Sequence, residues 1–438
     1  MNRTVASNHQ APRHGRASVA AVLSILALAP SVISHASNSA RPAPSSTEEL
    51  PAAAQGNLER GEWLAIAGNC ETCHTAPGGK PFAGGLAFDT PFGKVYSTNI
   101  TPDEQTGIGR WTREDFARSL RHGERPNGEH LYPVFPYTAF TKITDADANE
   151  LYAYLKNVAA VNYTPPDNEM SFPFNQRWLL GAWKALFFDA GAFEPDLERP
   201  AEWNRGAYLV DALAHCSACH SPRNFMGAES KKHALTGGTY TDKIPGGELR
   251  KWSTPNITSA SNGVGAWSVD ELTAYLATGQ NSFLTTFGPM NEVILNSTRR
   301  LPEADVRAMA VYLKDSPANE GKLQGPPGAA ELKTGRILYN VYCGTCHLPT
   351  GLGGEDIGSR LAGGSLVVQA SDPAALINVI LYGPELPVPH LPSKRSKVMD
   401  AFGDQLSDED VALIASYIRS SWNNKGGRVT PAQVAEQR

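Results

Sequence analysis

A mainly α protein of three small tandem domains is what this sequence predicts. Three observations carry the prediction. The unit C-x-x-C-H occurs three times, as "CETCH" from Cys70, "CSACH" from Cys216 and "CGTCH" from Cys343. Matching stretches flank each copy in the same order, as internal repeats require. Helical periodicity dominates those stretches, and strand signals are few. Proline-rich joints at 193–203 and 315–332 separate the repeats. They place the domains near 57–190, 203–316 and 331–423, followed by a tail, 424–438, read as extended or disordered.

Each unit opens on a helical run with glycine near its start: "LERGEWLAIAGNC", "WNRGAYLVDALAHC" and "LKTGRILYNVYC". The C-x-x-C-H turn follows directly. The first two units then carry "YSTNITPDEQTGIGRWTREDFARSLRHG" and "WSTPNITSASNGVGAWSVDELTAYLATG", which the third shortens to "DPAALINVILYG". Each unit closes on an acid-started helix: "TDADANELYAYL", "PEADVRAMAVYL" and "SDEDVALIASYI". Ser268 with Glu271 and Thr112 with Asp115 read as capping boxes. Thr144 and Ser407 read as N-caps with acids in the first turn. Leu151, Tyr154 and Leu155 share one helix face, and so do Met309 and Val311 with Leu313 nearby.

The first forty residues read as a leader. Arg3, Arg13 and Arg16 precede the short apolar core "SVAAVLSILALA", and small residues offer cleavage after Ala36 or Ala40. Such a core is signal-peptide length and too short to span a bilayer. The expected location is therefore exported: the periplasm, at the periplasmic face of the inner membrane. The net charge is −5 and becomes more negative once the leader's arginines are removed. That argues against nucleic acid as a partner.

Six cysteines in an exported chain would first suggest disulfides. Here all six fall in the three motifs, and a histidine follows every second one. Cysteines at i and i+3 on a helical turn face the same way. They can each add a thiol to one vinyl group of the same haem. The histidine lies one turn along and can bind the iron. Zinc needs four ligands per site, and each unit offers three. A redox dithiol leaves the histidines without a role. The motifs therefore predict three covalent haem c groups. Cys70, Cys73 and His74 hold the first, Cys216, Cys219 and His220 the second, and Cys343, Cys346 and His347 the third.

Methionine opposite histidine raises a haem's reduction potential. Met399 and Met290 lie ahead of the closing helices of units three and two, and read as the sixth ligands there. Met309 reads as core. The matching stretch of unit one, "GEHLYPVFPYTAFTKITDAD", has no methionine. Its candidates are His130 and the more distant Met170, with an open site as the third option. His122 reads as a helix C-terminal residue. A backbone carbonyl near Pro77, Pro222 or Pro349 is the expected partner of each histidine's second ring N–H. Asn99 and Asn256 are expected on haem propionates, and Trp111 and Trp267 on the pocket walls. "FPFNQRWLLGAWKALFF" (172–188) reads as interdomain packing. No nucleophile, general-base pair or nucleotide loop stands out.

The ordered set of motifs, with "WNRGAYLV", "STNIT", "FPFNQRW", "GPM" and "SDEDVALIASYIRSSW", resembles the three-haem cytochrome c subunit of bacterial membrane-associated dehydrogenases. The resemblance covers nearly the whole mature chain. It implies three tandem class I cytochrome c-like domains and an electron-transfer subunit without catalysis of its own. It also implies a catalytic dehydrogenase partner of flavin, pyrroloquinoline quinone or molybdenum type. Electrons would pass to ubiquinone or a terminal oxidase, with peripheral membrane association. Many members have "AMPY" where this chain has "VFPY", with Phe135 in the methionine's place. A freestanding carrier, or a haem enzyme with an open first site, are the alternatives.

Overall fold

The computed structural model describes residues 58–243, 248–354, 357–385 and 398–438; the leader read at 1–40 lies outside them. The first segment runs α1 (Leu58–Ala67), α2 (Cys70–Cys73), β1 (Ala87–Thr90), β2 (Gly93–Tyr96), α3 (Arg113–His122), α4 (Tyr137–Phe140), α5 (Asp145–Leu155), β3 (Glu169–Met170) and α6 (Leu179–Phe187). The second runs α7 (Ala201–Tyr208), α8 (Ser217–His220), β4 (Gly238–Lys243), β5 (Leu249–Thr254), α9 (Val269–Thr278), α10 (Met290–Asn296) and α11 (Glu303–Asp315). The third runs α12 (Ala329–Tyr342), α13 (Gly344–His347), α14 (Leu366–Gln369), α15 (Ala374–Tyr382), α16 (Asp408–Ser420) and α17 (Pro431–Ala435). The strands form two small antiparallel ladders, β1-β2-β3 and β4-β5. No helix of the described residues is long and apolar enough to cross a membrane.

The predicted helix starts are present. Thr112, Ser268 and Ser407 form capping boxes with Asp115, Glu271 and Asp410, and Thr144 accepts from the Asp147 amide. These side chains satisfy amides that the first helical turn leaves unpaired.

One packing arrangement recurs three times. The opening helix of each segment crosses its closing helix: α1 on α5, α7 on α11, and α12 on α16. A glycine sits at each crossing. A Cβ on Gly61, Gly206 or Gly335 would fall well inside 3.0 Å of the carbonyl oxygen of Glu150, Ala308 or Leu413. The same Cβ would meet the Cβ of Tyr154 at 2.5 Å, Tyr312 at 2.8 Å or Tyr417 at 2.9 Å. The missing side chain lets the two backbones touch. Arg60 pairs with Asp147 at 2.9 Å and Arg205 with Asp305 at 2.7 Å beside the first two crossings, and both guanidinium groups lie over the Trp63 ring.

The first two segments share one core and the third keeps its own. Leu64, Phe116 and Leu151 of the first segment belong to one continuous cluster with Leu213, Trp267 and Met309 of the second. The third has its own cluster around Tyr339, Ile377 and Ile414. The helix face on α11 also differs from the expected one. Val306, Met309, Ala310 and Leu313 are buried while Val311 is half-buried; the i, i+3, i+4, i+7 spacing selects the former set.

Residues 424–438 are folded, not extended. Thr430 caps α17 with Pro431 in its first turn, and Val429 and Val434 are buried in the third core. Arg438 reaches Asp408 at 2.7 Å. The apolar pair in "GGRVTPAQVAEQR" supplies the burial that the polar composition obscures. Nearby Arg419, fully buried, donates to the carbonyls of Val368, Ala370, Gly426 and Gly427.

Asn99 and Asn256 are structural, against the propionate expectation. Asn256 is 2% exposed. Its amide donates to Asn262 at 3.0 Å and to the Asn319 carbonyl at 2.8 Å, and its oxygen accepts from the Thr258 amide and hydroxyl. Asn99 repeats this with Thr106, the Val161 carbonyl and Thr101. Each amide ties its "NIT" loop to the chain beyond the closing helix and keeps no donor free. Asn256→Ala is expected to cost about 1–3 kcal/mol for the buried groups it leaves unpaired. Denaturant unfolding should register that loss while the haem potentials stay in place; a shifted potential with unchanged stability would restore the propionate role.

Candidate haem sites

Each C-x-x-C-H turn is the end of an opening helix folded back on itself. α1 stops at Ala67, and Asn69 takes a left-handed conformation, φ 50°, that starts α2 on a new axis. His215, φ 40°, does the same before α8. The turn then brings the histidine amide back to the first cysteine's carbonyl: His74 to Cys70 at 3.0 Å, His220 to Cys216 at 2.9 Å and His347 to Cys343 at 2.9 Å.

The three histidines share a second feature. Nδ1–H donates to a backbone carbonyl: His74 to Thr98 at 2.6 Å, His220 to Pro255 at 2.8 Å and His347 to Ser359 at 2.7 Å. A carbonyl can only accept, so Nδ1 carries the proton and Nε2 keeps its lone pair. This is the tautomer a metal-ligating imidazole needs, with ring orientation fixed by the hydrogen bond. Burial lowers the pKa of His74 and His220, with the carbonyl bonds opposing it. The acceptors are not beside Pro77, Pro222 or Pro349, as expected from sequence. They come from loops further along each segment, which fold back over the turn.

The cysteines are free, with no disulfide among them. Burial pushes the thiols of Cys70, Cys73, Cys216 and Cys343 up to about 12, and that of Cys219 to about 11. They are neutral thiols in apolar surroundings. Among the described residues no group of three or more His, Cys, Asp or Glu is arranged to hold a metal ion by itself. The second segment reaches the first motif: the Ser297 hydroxyl lies 3.4 Å from the Ala67 carbonyl. Asn296 of α10 bonds Thr72, inside the first motif, at 2.9 Å.

A cavity of about 450 Å³ opens beside the first motif, within the range typical of cofactor sites. Cys70, Cys73 and His74 line it together with Trp111, Phe116 and Phe135. Donor set and shape fit a haem: two thiols on one helical turn, an imidazole with Nε2 free, and an apolar chamber around them. Trp111 walls this cavity as expected. Trp267 is a strut to the third segment, its indole N–H donating to the Gly364 carbonyl at 2.8 Å.

Met290 begins α10 and, half-buried, packs against the core shared by the first two segments, as Cys216 does; Met399, also half-buried, packs against the third core, which holds Cys343. Neither first-site candidate is brought to its cavity. His130 Nδ1 accepts from Lys184 Nζ at 2.9 Å and lies 3.6 Å from Glu124, while a Cβ at Gly181 would meet its Nε2 at 3.3 Å. This polar knot exists because Lys184, buried on α6, brings its ammonium to the end of α3, where it also bonds the His122 and Gly123 carbonyls. Met170 pairs opposite Gly93 in the β2–β3 ladder and is not among the residues lining the cavity. The residue that sequence reasoning missed is His215. It lines the cavity, and its place directly before Cys216 was the available signal.

Two family models match: "Cytochrome c" over residues 58–159 and "Cytochrome C oxidase, cbb3-type, subunit III" over 330–418. They enclose the first and third motifs. The fructose dehydrogenase cytochrome subunit of Gluconobacter japonicus is 37% identical, over 90% of this chain and 85% of its own length. The gluconate 2-dehydrogenase cytochrome c subunit of Pantoea cypripedii is 37% identical, over 87% of this chain and 89% of its own. The chain belongs to the dehydrogenase cytochrome c subunits. A nicotinate dehydrogenase subunit of Pseudomonas putida is 43% identical over 83% of this chain, which spans 30% of that protein's length. As a dehydrogenase cytochrome c subunit with a largely helical fold, the chain is built of cytochrome c domains that carry covalent haem c.

Proposed function

We propose that this cytochrome c subunit carries three covalent haems, one in each of three tandem class I cytochrome c-like domains, and passes electrons from a catalytic dehydrogenase subunit to ubiquinone or a terminal oxidase. When bound, each haem iron supplies one-electron ferric–ferrous exchange. The carrying observation is the histidine clamp. In all three segments, including the middle one, the motif histidine has Nδ1–H on a backbone carbonyl, which makes Nε2 the unprotonated nitrogen. The recurring Gly–Tyr helix crossing supports three copies of one domain.

Cys70, Cys73 and His74 would hold haem one, Cys216, Cys219 and His220 haem two, and Cys343, Cys346 and His347 haem three. Met290 and Met399 would be the further donors to the second and third haems. The catalytic partner is a flavin, quinone or molybdenum dehydrogenase, in keeping with the fructose, gluconate and nicotinate dehydrogenases of the relatives. The subunit works in the periplasm, attached peripherally to the inner membrane. Exposed Phe172, Trp178 and Leu186 lie on or beside α6, whose other face buries Trp183 with its indole N–H on the Met226 carbonyl.

The test is mass spectrometry of the tagged protein, gently extracted with detergent from its native host, with haem counted as the pyridine haemochromogen. Three haems per chain and a stoichiometric large dehydrogenase subunit are expected, and that partner's substrate should reduce the haems. A chain recovered alone from the soluble fraction with three haems would replace the subunit reading with a freestanding carrier.

A further inference from the structure

We propose that the first haem leaves its sixth iron position open to a small neutral diatomic ligand, bound in the cavity that Phe135 lines. The inference rests on the three-haem reading above. In the second and third segments a methionine lies in the stretch ahead of the closing helix, at Met290 and Met399. The corresponding stretch of the first segment, between α3 and α5, brings Phe135 to the cavity that holds Cys70, Cys73 and His74. A phenyl ring has no lone pair for iron.

The neighbouring donors are committed elsewhere. His130 is tied to Lys184, and neither it nor Met170, which pairs opposite Gly93 in the strand ladder, lines the cavity. The Tyr132 hydroxyl, which also borders the cavity, donates to the Phe174 carbonyl at 3.0 Å. No methionine is among the described residues lining the cavity, and the one imidazole besides His74 is His215. His215 stands at the thiol-bearing wall: the Gly68 carbonyl, two residues before Cys70, lies near enough to oppose the lowering of its pKa by burial, and its ring meets Phe140 edge-on at 5.4 Å. It is also anchored by its place next to Cys216, which the second haem holds.

The chemistry of the walls selects the ligand class. Phe116, Leu120, Val134, Phe135, Leu151 and Leu155 make the chamber mainly apolar. Among these apolar side chains an anion would need Arg125 or Arg177, which also line the cavity, as its partner, whereas a neutral diatomic needs none. The polarity and access of the pocket facing the iron decide what a haem binds. Exposed Pro126 and Asn127, in the turn after α3, also border the cavity and provide a route from solvent. Carbon monoxide on the ferrous protein is the probe.

The experiment titrates the dithionite-reduced holoprotein with carbon monoxide and counts haem in the same sample. One carbon monoxide per three haems is expected. Phe135→Met should abolish the uptake and raise the far-red thioether–iron band by about half, as a third methionine joins two. No uptake by a chain carrying three haems would overturn the open site while leaving the carrier reading intact. So would uptake that survives in a folded Phe135→Met protein, because the gas would then sit on another haem. Uptake that appears only in His215→Ala would overturn it in favour of His215 as the ligand. Fewer than three haems in the wild type would instead overturn the three-haem reading beneath it.

Discussion

Gly206→Ala is expected to collapse the second segment and strip its haem. A Cβ there would overlap the Ala308 carbonyl and meet the Tyr312 Cβ at 2.8 Å. Neither neighbour is the far end of a flexible side chain, so α7 and α11 must move apart. Inserting a methyl into a close-packed site costs about 1–3 kcal/mol, and more where backbone is the obstacle. The damage should spread because Leu209, Val210 and Leu213, directly after α7, sit in the core shared with the first segment. Arg205 would also leave Asp305 as the helices separate. Haem counting should fall from three towards two or fewer per chain, and the melting temperature should drop. Gly191→Ala is the control, since its Cβ meets nothing within 4 Å and should leave both readouts unchanged. Equal behaviour of the two variants would mean that the crossing is looser than described.

Met399→Leu should remove about half of the far-red thioether–iron band and lower the potential of one haem. Met290→Leu should remove the other half, and the double variant all of it. Leucine matches methionine in volume, so packing on the third core should change little, with a cost under about 1.5 kcal/mol. The loss would then report ligation and not unfolding. A band at full strength in both single variants would leave these methionines as core fillers. Circular dichroism of the same samples checks that the fold is retained.

Much of the site was legible because its chemistry is local. Two thiols and an imidazole on one turn must be close in sequence, so "CETCH", "CSACH" and "CGTCH" announce themselves. Helix caps such as Ser268 with Glu271 are local too, and all were found where the residues indicated. The tail was misread because burial of Val429 and Val434 depends on a partner surface that composition does not reveal. The asparagines were misread for a related reason. Asn99 and Asn256 are bonded to carbonyls of Val161 and Asn319, whose arrival depends on how each closing helix returns. The glycines of the opening helices were visible, but their meaning lay in Tyr154, Tyr312 and Tyr417 on another helix.

By itself the sequence determined the cofactor class, the number of attachment motifs, the helix starts and the repeat order, since each depends on residues within one or two helical turns. Only the tertiary structure decided which carbonyl orients each histidine, that the first two segments share one core, and that Phe135 lines the first cavity while His130 stays outside it. Those outcomes depend on loops and helices meeting across long separations in the chain, where close packing and paired polar groups select the partners.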